Sequence, residues 1–391
     1  VGTTIVNNEG LFGGAIQITY SNMEIEIRDC HIDYNRATSG AAVFVGMSNH
    51  DVSFINTSMM GNIATTEGGG VYISRDTYVN INSCIFDANG ATGDGGAIYY
   101  ASDRLLLNSS TFHDNSAGLC GGSVFISGSD IDINNIAGDS SGAIYIYKSN
   151  TVLLEYNNMD LNVALVNGGA ISINEVESII IRNNTFSNNI AHDSDTGGGG
   201  LYILSSTEVL LEYNYILNNS AVTGSGVWIA TSTIGVYENI FIDNVAHSGG
   251  TIFWLVYDMD PPNTTETRDN IFINNSAVYG STWATDGHSL STSSRSNTSS
   301  GSRTISSSSS NNNSDSGLEL ISVTEFIHPI DPVVIVLVDW YDQLIVVESG
   351  QIVTLTANKH TANCSSGVAT LGGESIVRFD NGIANFSNVV G

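Results

Sequence analysis

Positive charge is what this chain most conspicuously lacks. Its 391 residues hold 11 Lys and Arg against 39 Asp and Glu, a formal net charge of −28. Phosphate backbones are bound by basic faces that displace counterions, so nucleic acid is excluded as a partner, and anionic membrane equally. Long apolar runs are missing as well. A membrane span needs roughly 20 apolar residues, and the longest run, Val333 to Val338, is the size of one strand. Helix signals are nearly absent. Cysteine is scarce, with only Cys30, Cys84, Cys120 and Cys364. No leader sequence precedes Val1, so the chain is expected to be an internal or mature fragment, incomplete at both ends and prone to self-association there.

What is present is a repeat. Asn-x-Ala occurs with its asparagine at 35, 62, 89, 115, 162, 189, 219, 244 and 275, at separations of 27, 27, 26, 47, 27, 30, 25 and 31 residues. The separation of 47 holds one full unit and a shortened one that ends at Ser141-Gly142-Ala143-Ile144. After each Asn-x-Ala, a glycine or serine pair opens a short apolar run, as in Gly95-Gly96-Ala97-Ile98. A fixed period in this range is the signature of a solenoid. Within a unit, apolar residues alternate with period two, for example Val79-Asn80-Ile81 and then Cys84-Ile85-Phe86. The spacing predicts about three strands per unit. Gly and Asn would supply left-handed corners, asparagine amides would bond to their counterparts in the next coil, and alanine would fit where a bulky side chain could not turn. The sequence therefore predicts an all-β parallel β-helix over 1–288, of about ten coils and about 50 Å long at one strand spacing per coil. Cys30 and Cys84, at the same repeat position two coils apart, would be about 9.6 Å distant, beyond the reach of a disulfide.

The Phe-x-x-Asn strings Phe86-Asp87-Ala88-Asn89, Phe112-His113-Asp114-Asn115, Phe186-Ser187-Asn188-Asn189, Phe241-Ile242-Asp243-Asn244 and Phe272-Ile273-Asn274-Asn275 resemble the repeats of polymorphic outer-membrane proteins. So do the Gly-Gly-Ala-Ile strings starting at Gly13, Gly95 and Gly168. The resemblance spans residues 1 to about 285. It implies a right-handed, surface-exposed β-helix and a link to adhesion. The membrane β-barrel with which those proteins end has no counterpart in these residues.

Residues 289–317, Ser- and Asn-rich, are expected to form a linker. Residues 318–391, with Val333 to Val338, a Val-x-Asp-x-Tyr stretch and the runs Ile352-Val353-Thr354-Leu355 and Gly382 to Phe386, resemble a small immunoglobulin-like β-sandwich, short of the usual size.

Ten Asn-x-Ser/Thr sequons are candidate glycosylation sites: Asn56, Asn108, Asn183, Asn218, Asn263, Asn274, Asn297, Asn312, Asn363 and Asn385. A second candidate is a column of aromatic residues. The second strand residue after each glycine pair is Gln17, Phe44, Tyr72, Tyr99, Phe125, Tyr145, Ser172, Tyr202, Trp228, Phe253 and Trp283, beside aliphatic Ile16, Val43, Val71 and Ile98. With the aliphatic column inward, Phe44, Tyr72, Tyr99, Phe125, Tyr145, Tyr202, Trp228 and Phe253 would form an outward contact stripe for a lateral partner, a glycan-stacking track or a covering segment.

Catalytic signals are weak. Asp33, Asp87 and Asp160 share one repeat position, but Asp33 and Asp87 are separated by Met60, and solvated turn residues are the reading favoured. Lys148 and the arginines, at scattered repeat positions, assemble no basic groove for an acidic substrate. No zinc pair is expected of His192 and His247, since Val222 lies between them. No cofactor is expected; His192-Asp193-Ser194-Asp195 offers oxygen ligands for Ca²⁺ but reads more simply as a polar loop. The sequence thus points to an extracellular, cell-surface, glycosylated structural or adhesive protein, a building block of an appendage or filament. Its partners would be other copies of itself, related surface proteins or glycans. A polysaccharide-binding or polysaccharide-cleaving β-helix is the alternative.

Overall fold

A chain that coils with a period near 27 residues must turn at least three corners per coil, and each corner costs backbone conformational energy. The computed structural model describes residues 2–19, 24–46, 51–74, 77–128, 130–134, 137–139, 142–192, 197–230, 233–255, 267–285, 289–292, 333–338, 343, 345, 352–354, 376–378 and 383–386, and the side chains of all of these except 130–139 and the strand residues from 289 onward other than Ile383. It divides into two units, Val1–Ala277 with Ser281–Trp283, and Val278–Gly280 with Ala284–Gly391.

The first unit is a parallel β-helix. Sheet 1 stacks eleven strands from Ile16–Ile18 to Trp283–Thr285, sheet 2 stacks ten from Ile25–Arg28 to Thr267–Arg268, and sheet 3 stacks eleven from Thr4–Val6 to Ile271–Ile273. Each strand pairs in parallel with its equivalent one coil on, as in Val71↔Ile98 and Phe86↔Phe112. A fourth strand of two residues, absent from the sequence expectation of three, holds the x-Ala pair: Arg36–Ala37, Ile63–Ala64, Gly90–Ala91 and Ser116–Ala117 form one small sheet, and Val163–Ala164 to Val245–Ala246 another. The break between them is the shortened coil, where Gly122 donates directly to Gly142 O.

Alternation along the strands sends Val43, Val71 and Ile98 of sheet 1, Phe54, Ile81 and Leu107 of sheet 2, and Met59, Phe86 and Phe112 of sheet 3 into one core. The phenylalanine of Phe-x-x-Asn is thus a core residue; Phe86 and Phe112 stack with centroids 4.9 Å apart.

The corners use three devices. In the glycine pair, Gly95 takes φ +66°, and a Cβ on Gly96 would sit 2.0 Å from Gly122 O, so the second glycine is there for close approach of the next coil. At both ends of sheet 3, the left-handed residue is the one before the conserved-position asparagine, and it is often neither Gly nor Asn: Tyr34, Ala88, Tyr156, Leu161 and Tyr213 all have φ between 53° and 59°. Such residues pay roughly 1–2 kcal/mol each. The asparagine that follows is buried and offsets this strain. Asn35, Asn62, Asn89 and Asn115 form a ladder in which each Oδ1 accepts the backbone N–H of the asparagine one coil earlier, at 3.0–3.1 Å. The Nδ2 of each also donates along the column. After the shortened coil the same ladder resumes through Asn162, Asn189, Asn219, Asn244 and Asn275.

A second column at the sheet 2 to sheet 3 corner does the same work. It begins as Cys30, Thr57, Cys84 and Ser110, whose hydroxyls and thiols donate to the carbonyl two residues back. It continues as an asparagine ladder through Asn157, Asn184, Asn214, Asn239 and Asn270. Cys30 and Cys84 are accordingly free, with Thr57 between them, and Cys120 is free too. Burial pushes the Cys84 thiol up to about 11.

In the second unit, Ser289–Thr292, Val333–Val338 and Ile383–Phe386 form an antiparallel sheet, and Ile352–Thr354 pairs with Ile376–Arg378. This is antiparallel β structure; the described strands do not establish an immunoglobulin-like sandwich. The expected linker is also cut short at its start, because Ser289 to Thr292 pair with Val338 to Ile335 as an edge strand.

Replacing Asn89 by Ala strands the buried Asn62 N–H and removes the second donor to the Met59 carbonyl, which keeps its strand partner. At roughly 1–3 kcal/mol for the orphaned group, Asn89→Ala should lose about 2 kcal/mol in urea unfolding. A loss within the error of the measurement would show that the ladder carries no net stability.

Candidate functional site

The aliphatic column of sheet 1 faces the core, so the aromatic column between points away from it. Its rings stack on one another in register. Centroids are 4.9 Å apart for Phe44 and Tyr72, 5.0 Å for Tyr72 and Tyr99, 5.0 Å for Tyr99 and Phe125 and 5.6 Å for Phe125 and Tyr145, with planes within 13° of parallel. Phe12, from the first coil, extends the stack against Phe44.

Two features differ from the expected stripe. Ser172 interrupts it, since Tyr145 registers with Ser172 and Ser172 with Tyr202. Beyond the gap, Tyr202, Trp228 and Phe253 are only 8%, 3% and 5% exposed, so they are no free surface. From Phe44 to Tyr145 the stack itself limits exposure. Rings spaced by one coil cover each other's faces, and a six-membered ring so placed keeps only its edge for solvent. Phe44, Tyr72, Tyr99 and Tyr145 remain half-exposed.

Acid lines this edge. The carboxylates of Glu67 and Asp94, together with burial and Tyr72, push the Tyr99 phenol up to about 12, burial being the largest cause. Burial also raises Tyr145. Asp94 accepts the Cys120 N–H at 2.9 Å, and its own carboxyl is raised, chiefly by burial. At neutral pH the stripe therefore presents protonated phenols beside carboxylates.

The sequons fall elsewhere. Asn56 and Asn183 occupy exposed left-handed positions between sheets 2 and 3, and Asn218 and Asn274 the corresponding positions after sheet 3. Asn108 is half-buried at the end of a sheet 2 strand. Asn385 lies on Ile383–Phe386. Asn263, Asn297, Asn312 and Asn363 lie outside the described residues, as do Asp193 to Asp195 of the loop considered for Ca²⁺. Among the described residues, no sequon asparagine lies in sheet 1.

The shared-position carboxylates do not converge. Asp33 and Asp87 flank Met60 in register, and Asp33 accepts the Met60 N–H at 3.0 Å. Asp160 accepts from Ser187 Oγ and Asn188 Nδ2 at 2.6 and 2.7 Å. Each carboxylate is used by the next coil. Asp87 differs, for the residue above it is His113, whose Nδ1 lies 2.9 Å from Asp87 Oδ1. Two shallow grooves lie on the outer face of sheet 2, one along Ser178, Glu208 and Tyr237, the other along Asp51, Tyr78 and Arg104. Neither brings two carboxylates together.

Four of the described cations are engaged locally. Arg28 bonds Glu26, Arg182 sits between Glu155 and Glu212, Lys148 meets Glu175, and Arg268 lies over Tyr237. Contrary to the expectation of scattered positions, Arg28, Arg182 and Arg268 share one column of sheet 2. Arg182 and Arg268 each stand beside an acidic or aromatic neighbour in that column, so no free basic surface results.

Residues 122–302 match the family model of the right handed beta helix region. The solenoid is thus a right-handed parallel β-helix, a domain found in surface and polysaccharide-active proteins. No curated protein and no solved structure matches the chain.

Proposed function

We propose that this is a non-catalytic, extracellular, cell-surface β-helix, glycosylated on the corners of sheet 3, that serves as a structural or adhesive building block and meets a lateral partner along the half-exposed stripe of sheet 1. The partner is a second copy or a related surface protein. The observation that carries this reading is the stripe from Phe44 to Tyr145. It is a stacked aromatic edge, partly exposed at Phe44, Tyr72, Tyr99 and Tyr145 and buried at Phe125, on a face that holds no described sequon, while the exposed sequon asparagines flank another face. Exposed apolar tracks of this kind mark contact surfaces. That right-handed β-helix domains are found in surface proteins supports a surface role.

The geometry favours protein over glycan as the partner. A sugar stacks on an exposed ring face, and here the faces of Tyr72, Tyr99 and Phe125 are taken by their neighbours. Protein contacts use ring edges, which stay partly exposed at Phe44, Tyr72, Tyr99 and Tyr145. The polysaccharide-binding or polysaccharide-cleaving alternative retains one supporting feature, the carboxylates of Glu67 and Asp94 beside the phenols.

Tyr72→Ser, Tyr99→Ser and Tyr145→Ser combined should leave β-rich circular dichroism in place and weaken self-association at least tenfold by sedimentation. Unchanged association by the folded variant would contradict the proposal. The intact protein should release no product from pectin, alginate, chondroitin or chitin fragments. Turnover lost in Asp87→Asn would establish the enzymatic alternative instead.

A further inference from the structure

We infer that Asp87, His113 and Asp114 form a binding site for a divalent transition-metal ion such as Zn²⁺. Sheet 3 places Asp87 and His113 in register on adjacent coils with both side chains on the outer face. Asp114 follows in the left-handed corner at φ 48°, which turns its carboxylate back toward the imidazole. His113 Nδ1 lies 2.9 Å from Asp87 Oδ1 and 3.4 Å from Asp114 Oδ2, and the three ligand atoms lie within 4.8 Å of one another.

These separations are those of a coordination shell. An ion held about 2.0–2.2 Å from nitrogen and oxygen ligands at angles of 90–110° sets neighbouring ligand atoms roughly 2.8–3.6 Å apart. Two of the three edges already meet this, and a small rotation of one exposed carboxylate closes the third. The side chains are 28%, 50% and 71% exposed for Asp87, His113 and Asp114, so an ion would keep water in its remaining positions and lose little hydration on entry.

The donor set names the class of ion. Two carboxylates alone would suit Ca²⁺ or Mg²⁺, while an imidazole nitrogen shifts preference to Zn²⁺, Co²⁺ or Ni²⁺. The strongly negative chain raises the local concentration of any divalent cation. On binding, the ion takes the place of the proton that Nδ1 shares with Asp87, and the neutral ring carries its proton on Nε2. In the same column Asp139 registers with His113 on the following coil, whereas Asp33 is followed by Met60 and Asp160 by Ser187.

The test titrates the folded chain with Zn²⁺ and follows the imidazole nitrogens by NMR, which separates this site from diffuse binding by other carboxylates and from the free thiols. His113 should show a metal-dependent Nδ1 shift at stoichiometric Zn²⁺. That response should vanish in His113→Gln, and the affinity should fall at least tenfold in Asp87→Asn and in Asp114→Asn, with circular dichroism unchanged. A His113 ring that does not respond, or an Asp87→Asn affinity equal to that of the unaltered chain, would overturn the inference, even if Zn²⁺ bound elsewhere.

Discussion

The structure depends on one interaction, the capture of a corner N–H by the side-chain amide of an asparagine one coil further on. At each end of sheet 3 the chain passes through a left-handed residue, and the N–H that follows points along the solenoid with no strand partner. The Oδ1 of the next asparagine accepts it, at 3.0 Å for Asn35 and 2.9 Å for Asn189. Because donor and acceptor are the same residue type in successive coils, the arrangement propagates indefinitely. It also removes the need for Gly or Asn at the strained position, which explains why Tyr34, Tyr156 and Leu161 are tolerated there.

Fixed corners fix the register, and register converts a one-dimensional repeat into columns on each face. One column is core phenylalanine, another is the sheet 1 stripe, and a third holds Asp87 and His113. Each column acquires its chemistry from what one coil sets beside the next. The shortened coil separates the two small x-Ala sheets and interrupts the ladder, and on either side of it Leu119 and Leu165 are among the most exposed apolar side chains of the described residues.

Much of this was legible in the residues. Asn-x-Ala marked the ladder, though not the two-residue strand that its last residues form, and the glycine pair marked the corner before sheet 1. Alternation separated Val71 and Ile98 from Tyr72 and Tyr99. The second column was not legible, because Cys30, Thr57, Cys84 and Ser110 share no name and only Asn157 onward looks like a ladder. What unites them is a short side chain able to bond the backbone. The contact of Asp87 with His113 was hidden for a different reason. Their shared position after the phenylalanine of Phe-x-x-Asn was visible, but not that the imidazole nitrogen would reach the carboxylate. The burial of Tyr202, Trp228 and Phe253 and the strand at Ser289 to Thr292 depend on packing that no period announces.

Native-state hydrogen exchange tests the ladder most directly. The backbone amides of Asn35, Asn62 and Asn89 lie outside the strands, yet their acceptors are buried side-chain oxygens. They should exchange as slowly as strand amides such as Phe86, because opening one requires separating two coils. Exchange at the rate of exposed turn amides would mean that the asparagines do not hold the corners, and the account would fail.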